Sequence, residues 1–202
     1  MKNSALRIAV TGNIGSGKST FCDFIESRGY IVIKADDLAK DILANDEKAK
    51  TLIIKSFGSE SYKNGKPNKV FLSEKVFSNN KKLLEINSII HPLVFKKLEK
   101  IFNENSNNKI IFVEAALIYE ANMEDMFDYV VLICSKEDNR KNRKIKADKM
   151  TGLEFDKRNG FQIPEAEKKK RADFIFDNDS TLTDLKQKAE LLLMMIAGKI
   201  NP

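Results

Sequence analysis

Apolar residues follow two alternating patterns along this chain. Leu6 to Val10 is a short apolar run that stops at Thr11-Gly12, and beyond a glycine-rich stretch Phe21, Phe24 and Ile25 recur at helical spacing up to Gly29. That is strand, loop, helix. Tyr30 to Ala35 is a second apolar run containing β-branched residues. It ends at Asp36-Asp37, a pair suited to open a helix running toward Phe57-Gly58. Asn64-Gly65-Lys66-Pro67 predicts a turn. Helical segments follow around Phe71 to Phe77 and Leu83 to Phe102, with His91-Pro92 interrupting the second. Ile110 to Val113 and Tyr129 to Ile133 are continuous apolar runs, the pattern of strands covered on both faces in a parallel sheet. Phe174-Ile175-Phe176 is a last strand. Leu182, Leu185, Ala189, Leu192, Leu193 and Ile196 outline a closing amphipathic helix.

Strands alternating with helices predict right-handed crossovers and a three-layer α/β fold around a parallel sheet. The division expected is a single domain, 1–202, whose core is 1–60, 105–135 and 172–202. A helical insertion occupies 61–104 and a lid 136–171.

Composition changes this picture little. With 202 residues, 42% of them hydrophobic, the chain can bury one substantial core. No apolar run approaches the roughly 18–20 residues of a membrane span; the longest, Leu191 to Ala197, stops at Gly198. The N-terminal residues lack the order of a secretory signal, so a soluble, cytoplasmic protein with no membrane partner is expected. Cys22 and Cys134 have no Cys or His near them and fit buried thiols better than a disulfide or metal site. Lys and Arg total 35 against 29 Asp and Glu, a net charge of +6 compatible with nucleic acid, anionic lipid or phosphorylated small molecules. The cations gather at Arg140 to Lys149 and Lys168 to Arg171, runs that also read as solvated helix faces.

The chemistry is concentrated in Gly12-Asn13-Ile14-Gly15-Ser16-Gly17-Lys18-Ser19, followed by Thr20. This fits G-x-x-x-x-G-K-[ST] between a strand and a helix, the context the pattern requires. Glycines allow backbone N–H groups to turn inward, and the helix that follows adds its own N–H groups and dipole, so a nucleoside triphosphate is the expected ligand. Lys18 is placed to reach the β and γ phosphates, and the Ser19 hydroxyl to ligate Mg²⁺. A phosphate loop alone does not separate a kinase from a GTPase or a motor. No D-x-x-G or N-K-x-D occurs, which weakens the GTPase reading.

A kinase also needs a carboxylate beside the acceptor hydroxyl. Asp36, after the second strand, is the expected base, with helix N-capping as its other role. Glu114 and Glu120 follow the Ile110 strand and suit Mg²⁺, substrate or a plain exposed loop. Arg140, Arg143, Lys144 and Lys146 share a predicted helix and would let a lid close over phosphates, Arg143 being the leading choice.

Taken in order, these segments resemble the dephospho-coenzyme A kinase family over nearly the whole chain. The matching stretches are T-G-N-I-G-S-G-K-S-T at Thr11 to Thr20, K-A-D-D-L-A-K at Lys34 to Lys40 and N-G-K-P-N-K at Asn64 to Lys69. N-S-I-I-H-P at Asn87 to Pro92, A-A-L-I-Y-E at Ala115 to Glu120, Gln162, and A-D-F-I-F-D-N at Ala172 to Asn178 follow. The resemblance implies transfer of the ATP γ-phosphate to the ribose 3'-hydroxyl of dephospho-coenzyme A. Asp36 would be base, Lys18 and Arg143 would stabilise the moving group, and Asn178 would lie near the adenine. Asp36, Lys40, Lys69, His91, Pro92, Leu117 and Glu120 would meet the acceptor, and the 61–104 region would hold it. The protein would act as a monomer or weak homo-oligomer, without nucleic acid. Lys34, Lys40 and Lys69 stand where the family pattern has Asp, Arg and Arg, Ala116 replaces its proline, and its second lid arginine falls at Ala147. Lysine keeps the charge of arginine and loses its bidentate fork. Two rivals remain: a nucleoside or nucleotide kinase built on the same loop, and a nucleic-acid-binding ATPase. The scarcity of aromatics near the basic runs disfavours the second.

Overall fold

The computed structural model describes residues 5–77 and 79–200, so the outer limits of the expected core, 1–4 and 201–202, lie outside the described residues. By contact, residues up to Ile33 and from Asn107 onward form one compact unit, and Lys34–Ser106 form another.

The first unit is built on strands β1 (Leu6–Thr11), β2 (Ile31–Lys34), β5 (Ile110–Glu114), β6 (Tyr129–Cys134) and β7 (Phe174–Asp177), with helices α1 (Lys18–Ser27), α6 (Glu137–Asp148), α7 (Gly152–Gly160), α8 (Glu165–Lys169) and α9 (Leu182–Ile200). The sheet is parallel and five-stranded, in the order β2-β5-β1-β6-β7. Its register pairs Val10 with Glu114, Thr11 with Leu132 and Cys134 with Asp177. The last residues of β1, β5, β6 and β7 therefore arrive at one edge, where open α/β sheets carry their ligands.

Burial explains why the apolar runs are unbroken. Ile8, Val10, Phe112, Val131 and Ile133 are fully buried, and Phe21, Cys22 and Ile25 of α1 join Ala189, Leu192 and Ile196 of α9 in the same cluster. Each large side chain so buried contributes roughly 1.5–3 kcal/mol. Both cysteines are buried thiols as expected, and burial pushes the Cys134 thiol up to about 12.

The second unit contains α2 (Ala35–Asn45), α3 (Glu47–Phe57), the hairpin strands β3 (Tyr62–Lys63) and β4 (Lys66–Pro67), α4 (Lys69–Phe77) and α5 (Asn80–Glu104). Two details depart from the expected pattern. The helix after Asp36-Asp37 is broken at Asp46, which ends α2 and caps α3 by accepting the Ala49 N–H at 2.8 Å. The helix around His91-Pro92 is not broken: α5 runs through Pro92 for 25 residues. Proline there forfeits one backbone bond, and the buried row Ile90, Val94, Leu98 and Phe102 holds the helix together across it. Because α2 and α3 pack on α5, the compact helical unit begins at Lys34, earlier than the insertion expected at residue 61. The predicted Asn64-Gly65 turn closes the hairpin with both residues at positive φ, and the Tyr62 hydroxyl ties it to α2 by donating to the Leu43 carbonyl at 2.7 Å.

Candidate active site

The loop between β1 and α1 has no side chain capping α1 and no acidic residue in that helix's first turn, whereas Asp46, Asn79 and Thr151 cap α3, α5 and α7. The N–H groups and positive dipole end of α1 are thus left to a ligand. Within the loop the Ser16 N–H donates to the Asn13 carbonyl at 3.0 Å. Thr11 Oγ1, Asn13 Oδ1 and Ser16 Oγ are buried and unpartnered. Buried polar atoms are seldom left in this state unless a further group completes them. Lys18 is nine-tenths buried, and its ammonium leans toward the Asn13 carbonyl at 3.5 Å.

Close packing demands glycine at Gly12, where a Cβ would stand 2.3 Å from the Ile133 carbonyl oxygen, and at two further loop positions. At Gly17 φ is +100°, and a Cβ would stand 2.2 Å from the Asn178 amide nitrogen. At Gly15 φ is +78°, and a Cβ would meet the Arg140 carbonyl oxygen at 2.5 Å. Both are left-handed conformations that disfavour any larger residue.

Asn178, just beyond β7, reaches the loop. Its side-chain amide donates to the Ser16 carbonyl at 2.8 Å, and its N–H donates to the Cys134 carbonyl at 2.7 Å. Arg143 lies beside it. One guanidinium nitrogen donates to the Asn178 carbonyl at 2.6 Å, and the other reaches Ser135 Oγ at 3.1 Å and the Gly15 carbonyl at 3.4 Å. Arg143 is therefore at the phosphate loop, with one arm near the expected adenine-side residue.

The Ser19 hydroxyl donates to Glu114 Oε1 at 2.6 Å, and Glu114, the last residue of β5, is nine-tenths buried. No group of three or more His, Cys, Asp or Glu side chains able to hold a metal occurs among the described residues. One hydroxyl and one carboxylate beside a phosphate loop fit Mg²⁺, which keeps most of its water and shares phosphate oxygens. They do not fit a closed zinc cage. Thr20 is exposed in the first turn of α1.

Glu120, expected among the acceptor-binding residues, is engaged within the first unit. Its Oε1 accepts from the Lys168 ammonium at 2.8 Å and from the Ile163 N–H at 2.8 Å, while Oε2 is buried without a partner. Lys168 is fully buried. Burial pulls its ammonium below the ordinary lysine value, against the opposing pull of Glu120. Leu117 lies half-buried in the turn before Glu120, and its carbonyl accepts the Ala121 N–H at 3.0 Å.

The other expected residues belong to the helical unit. Asp36 is exposed in the first turn of α2. The N-cap of that helix is Lys34, without a side-chain bond, so the capping role foreseen for Asp36 is not taken. Asp37 accepts from Lys40 at 2.7 Å, and that bond holds its carboxyl below the usual range. Lys40 is thus paired on the surface, Lys69 is exposed at the start of α4, and His91 stacks on Phe95 with Pro92 beside it on α5. Sequence reading assigned no role to the buried Lys168 and placed Arg140 with Arg143, Lys144 and Lys146 on a lid helix closing over phosphates, whereas Arg140 is buried. Both sit in cation-rich runs that read as solvated, and only their distant partners reveal burial.

A family model described as dephospho-CoA kinase matches residues 6–184 of the chain. The dephospho-CoA kinase of Leptospira interrogans is 34% identical over 194 residues, 96% of this chain and 94% of that one. The dephospho-CoA kinase of Fusobacterium nucleatum is 34% identical over 188 residues, 93% of this chain and 96% of that one. Among solved structures, the dephospho-CoA kinase from Campylobacter jejuni superposes with a TM-score of 0.71 at 28% identity, covering 96% of this chain and 98% of that one. A shikimate kinase from Acinetobacter baumannii, with a TM-score of 0.59 at 13% identity and coverage of 99% and 97%, shares the fold alone. The phosphate loop, its register on the sheet and this near full-length likeness converge: the chain belongs to the dephospho-CoA kinase family.

Proposed function

We propose that the protein transfers the γ-phosphate of ATP to the ribose 3'-hydroxyl of dephospho-CoA, giving CoA and ADP. The observation that carries this reading is the uncapped α1 terminus behind a glycine loop with three buried, unpartnered polar atoms, in a chain of this family. Loop N–H groups bind the triphosphate, and the Lys18 ammonium balances charge on its terminal oxygens. Ser19 and Glu114 hold Mg²⁺, which supplies further neutralisation of phosphate charge when bound. Arg143 anchors the loop next to Asn178 and retains N–H donors for a phosphate or the base edge. Asp36 orients the acceptor hydroxyl and accepts its proton. The contrast with Asp37 supports this choice, because Lys40 already engages that neighbour. Lys40, Lys69, His91, Pro92, Leu117 and Glu120 remain the residues proposed to meet the acceptor.

The test is a turnover assay with ATP and Mg²⁺, supplying either dephospho-CoA or a panel of nucleosides and nucleotides, with ADP release and product identity as readouts. Turnover with dephospho-CoA, and little with the panel, is expected. Turnover confined to the panel would replace the acceptor assignment while leaving the phosphate loop intact.

A further inference from the structure

The backbone of Ile14, at the third position of the phosphate loop, is gripped on both sides of its Cα by residues remote in sequence. Its N–H donates to Gln162 Oε1 at 2.7 Å, and its carbonyl accepts from Arg140 Nη1 at 3.2 Å. Both contacts come from outside the loop motif, which cradles anions with its own backbone N–H groups.

Both grips are anchored. Arg140 is only 4% exposed. Its Nε donates to the Ser135 carbonyl at 3.0 Å, its Nη1 also donates to Asn159 Oδ1 at 2.8 Å, and its guanidinium lies 5.7 Å from the centre of the Phe155 ring. With those bonds made it has little left to offer a phosphate, so it acts through the loop. Gln162 is fixed by its neighbour: the Ile163 N–H donates to Glu120 Oε1 at 2.8 Å, and the Ile163 carbonyl accepts from the Asn13 side chain at 3.4 Å. Glu120 is held in turn by Lys168.

We propose that Gln162 is a positioning residue for ATP. Together with Arg140 it clamps the two peptides that flank the Ile14 Cα, so that the phosphate loop keeps its nucleotide-ready shape before nucleotide arrives. The Ile14 N–H lies in the Asn13–Ile14 peptide plane and the Ile14 carbonyl in the Ile14–Gly15 plane, so the two bonds hold the peptides on both sides of the Ile14 Cα. With only one plane held, the other can rotate and turn its amide away from a bound anion; with both held, less ordering is required when phosphate binds. The inference rests on the phosphate-loop reading given above and adds to it the residues that pre-set the loop.

The experiment uses the full chain and avoids Arg140, whose removal from a buried site would confound folding with function. Gln162→Met keeps length and volume without the acceptor oxygen, and Gln162→Glu restores an acceptor. Backbone amide exchange at Ile14, followed by NMR without nucleotide, should be at least about tenfold faster in Gln162→Met and return toward the wild-type rate in Gln162→Glu. In turnover assays Gln162→Met should raise the KM for ATP about five- to tenfold, with kcat and the thermal midpoint close to wild type. Unchanged exchange at Ile14, or faster exchange with an unchanged KM for ATP, would overturn the clamp. The exchange measurement needs no ligand. A wild-type protein that failed to take up ATP would therefore count against the proposed function, while the clamp would still be judged by exchange.

Discussion

Asp36→Asn is expected to lower turnover with dephospho-CoA by about 10²–10⁴-fold, the range removed with a positioned general base, while ATP affinity stays near wild type. The amide preserves size and cannot accept a proton. The local structure makes the prediction specific. Asp36 lies two residues past β2, in the first turn of α2, and that helix has Lys34, not Asp36, as its N-cap. Asp37, one residue on, is bonded to Lys40 on the surface, and exposed pairs of that kind contribute little. Asp37→Asn should therefore leave turnover close to wild type. Equal losses in the two variants would indicate a shared structural role and remove Asp36 from the chemistry.

The second large effect is on stability. Lys168→Met should destabilise the protein by about 3–5 kcal/mol, because removing one partner of a buried ion pair strands the other. Lys168 is fully buried against Glu120, whose side chain is 12% exposed, and its ammonium also reaches toward the Ala116 carbonyl at 3.4 Å. Thermal melting should fall by about 10 °C for a chain of this size. Glu120→Gln combined with Lys168→Met removes both charges and keeps an acceptor for the Ile163 N–H, so it should recover much of the loss. A melting point unchanged in Lys168→Met would mean that the pair is solvated in solution.

These two predictions differ in how far the sequence alone led to them. Asp36 was legible because its place is local: an apolar run, a pair of aspartates and a helix start. The phosphate loop was legible for the same reason. Its function resides in backbone amides whose turn is set by Gly15, Gly17 and the strand and helix on either side. The central strands β1, β5 and β6 were readable as apolar runs because, covered on both faces, they leave no alternation to obscure them, and the edge strands β2 and β7 were readable from their apolar residues alone.

Other features were hidden because they depend on partners far along the chain. Gln162 meets Ile14 across 148 residues, and Arg140 meets it across 126. Lys168 sits among Lys169, Lys170 and Arg171, a run with every local mark of a solvated face, yet its ammonium is buried on Glu120. The break between α2 and α3 falls at Asn45-Asp46-Glu47, polar residues that an amphipathic helix can also carry on its outer face, so only the Asp46 cap reveals it. Pro92 misled in the opposite direction. Its missing N–H removes one bond, and the packing of Ile90, Val94, Leu98 and Phe102 outweighs that loss.

The central claim is that the Gly12 to Thr20 turn and the α1 terminus hold the ATP phosphates with the help of Lys18. Calorimetric titration of ATP with Mg²⁺ into the wild-type protein and into Lys18→Ala tests it most directly. Saturable binding of one ATP per chain is predicted, weakened about tenfold or more in Lys18→Ala. Absence of binding by the wild-type protein, or equal affinity in the two proteins, would contradict it.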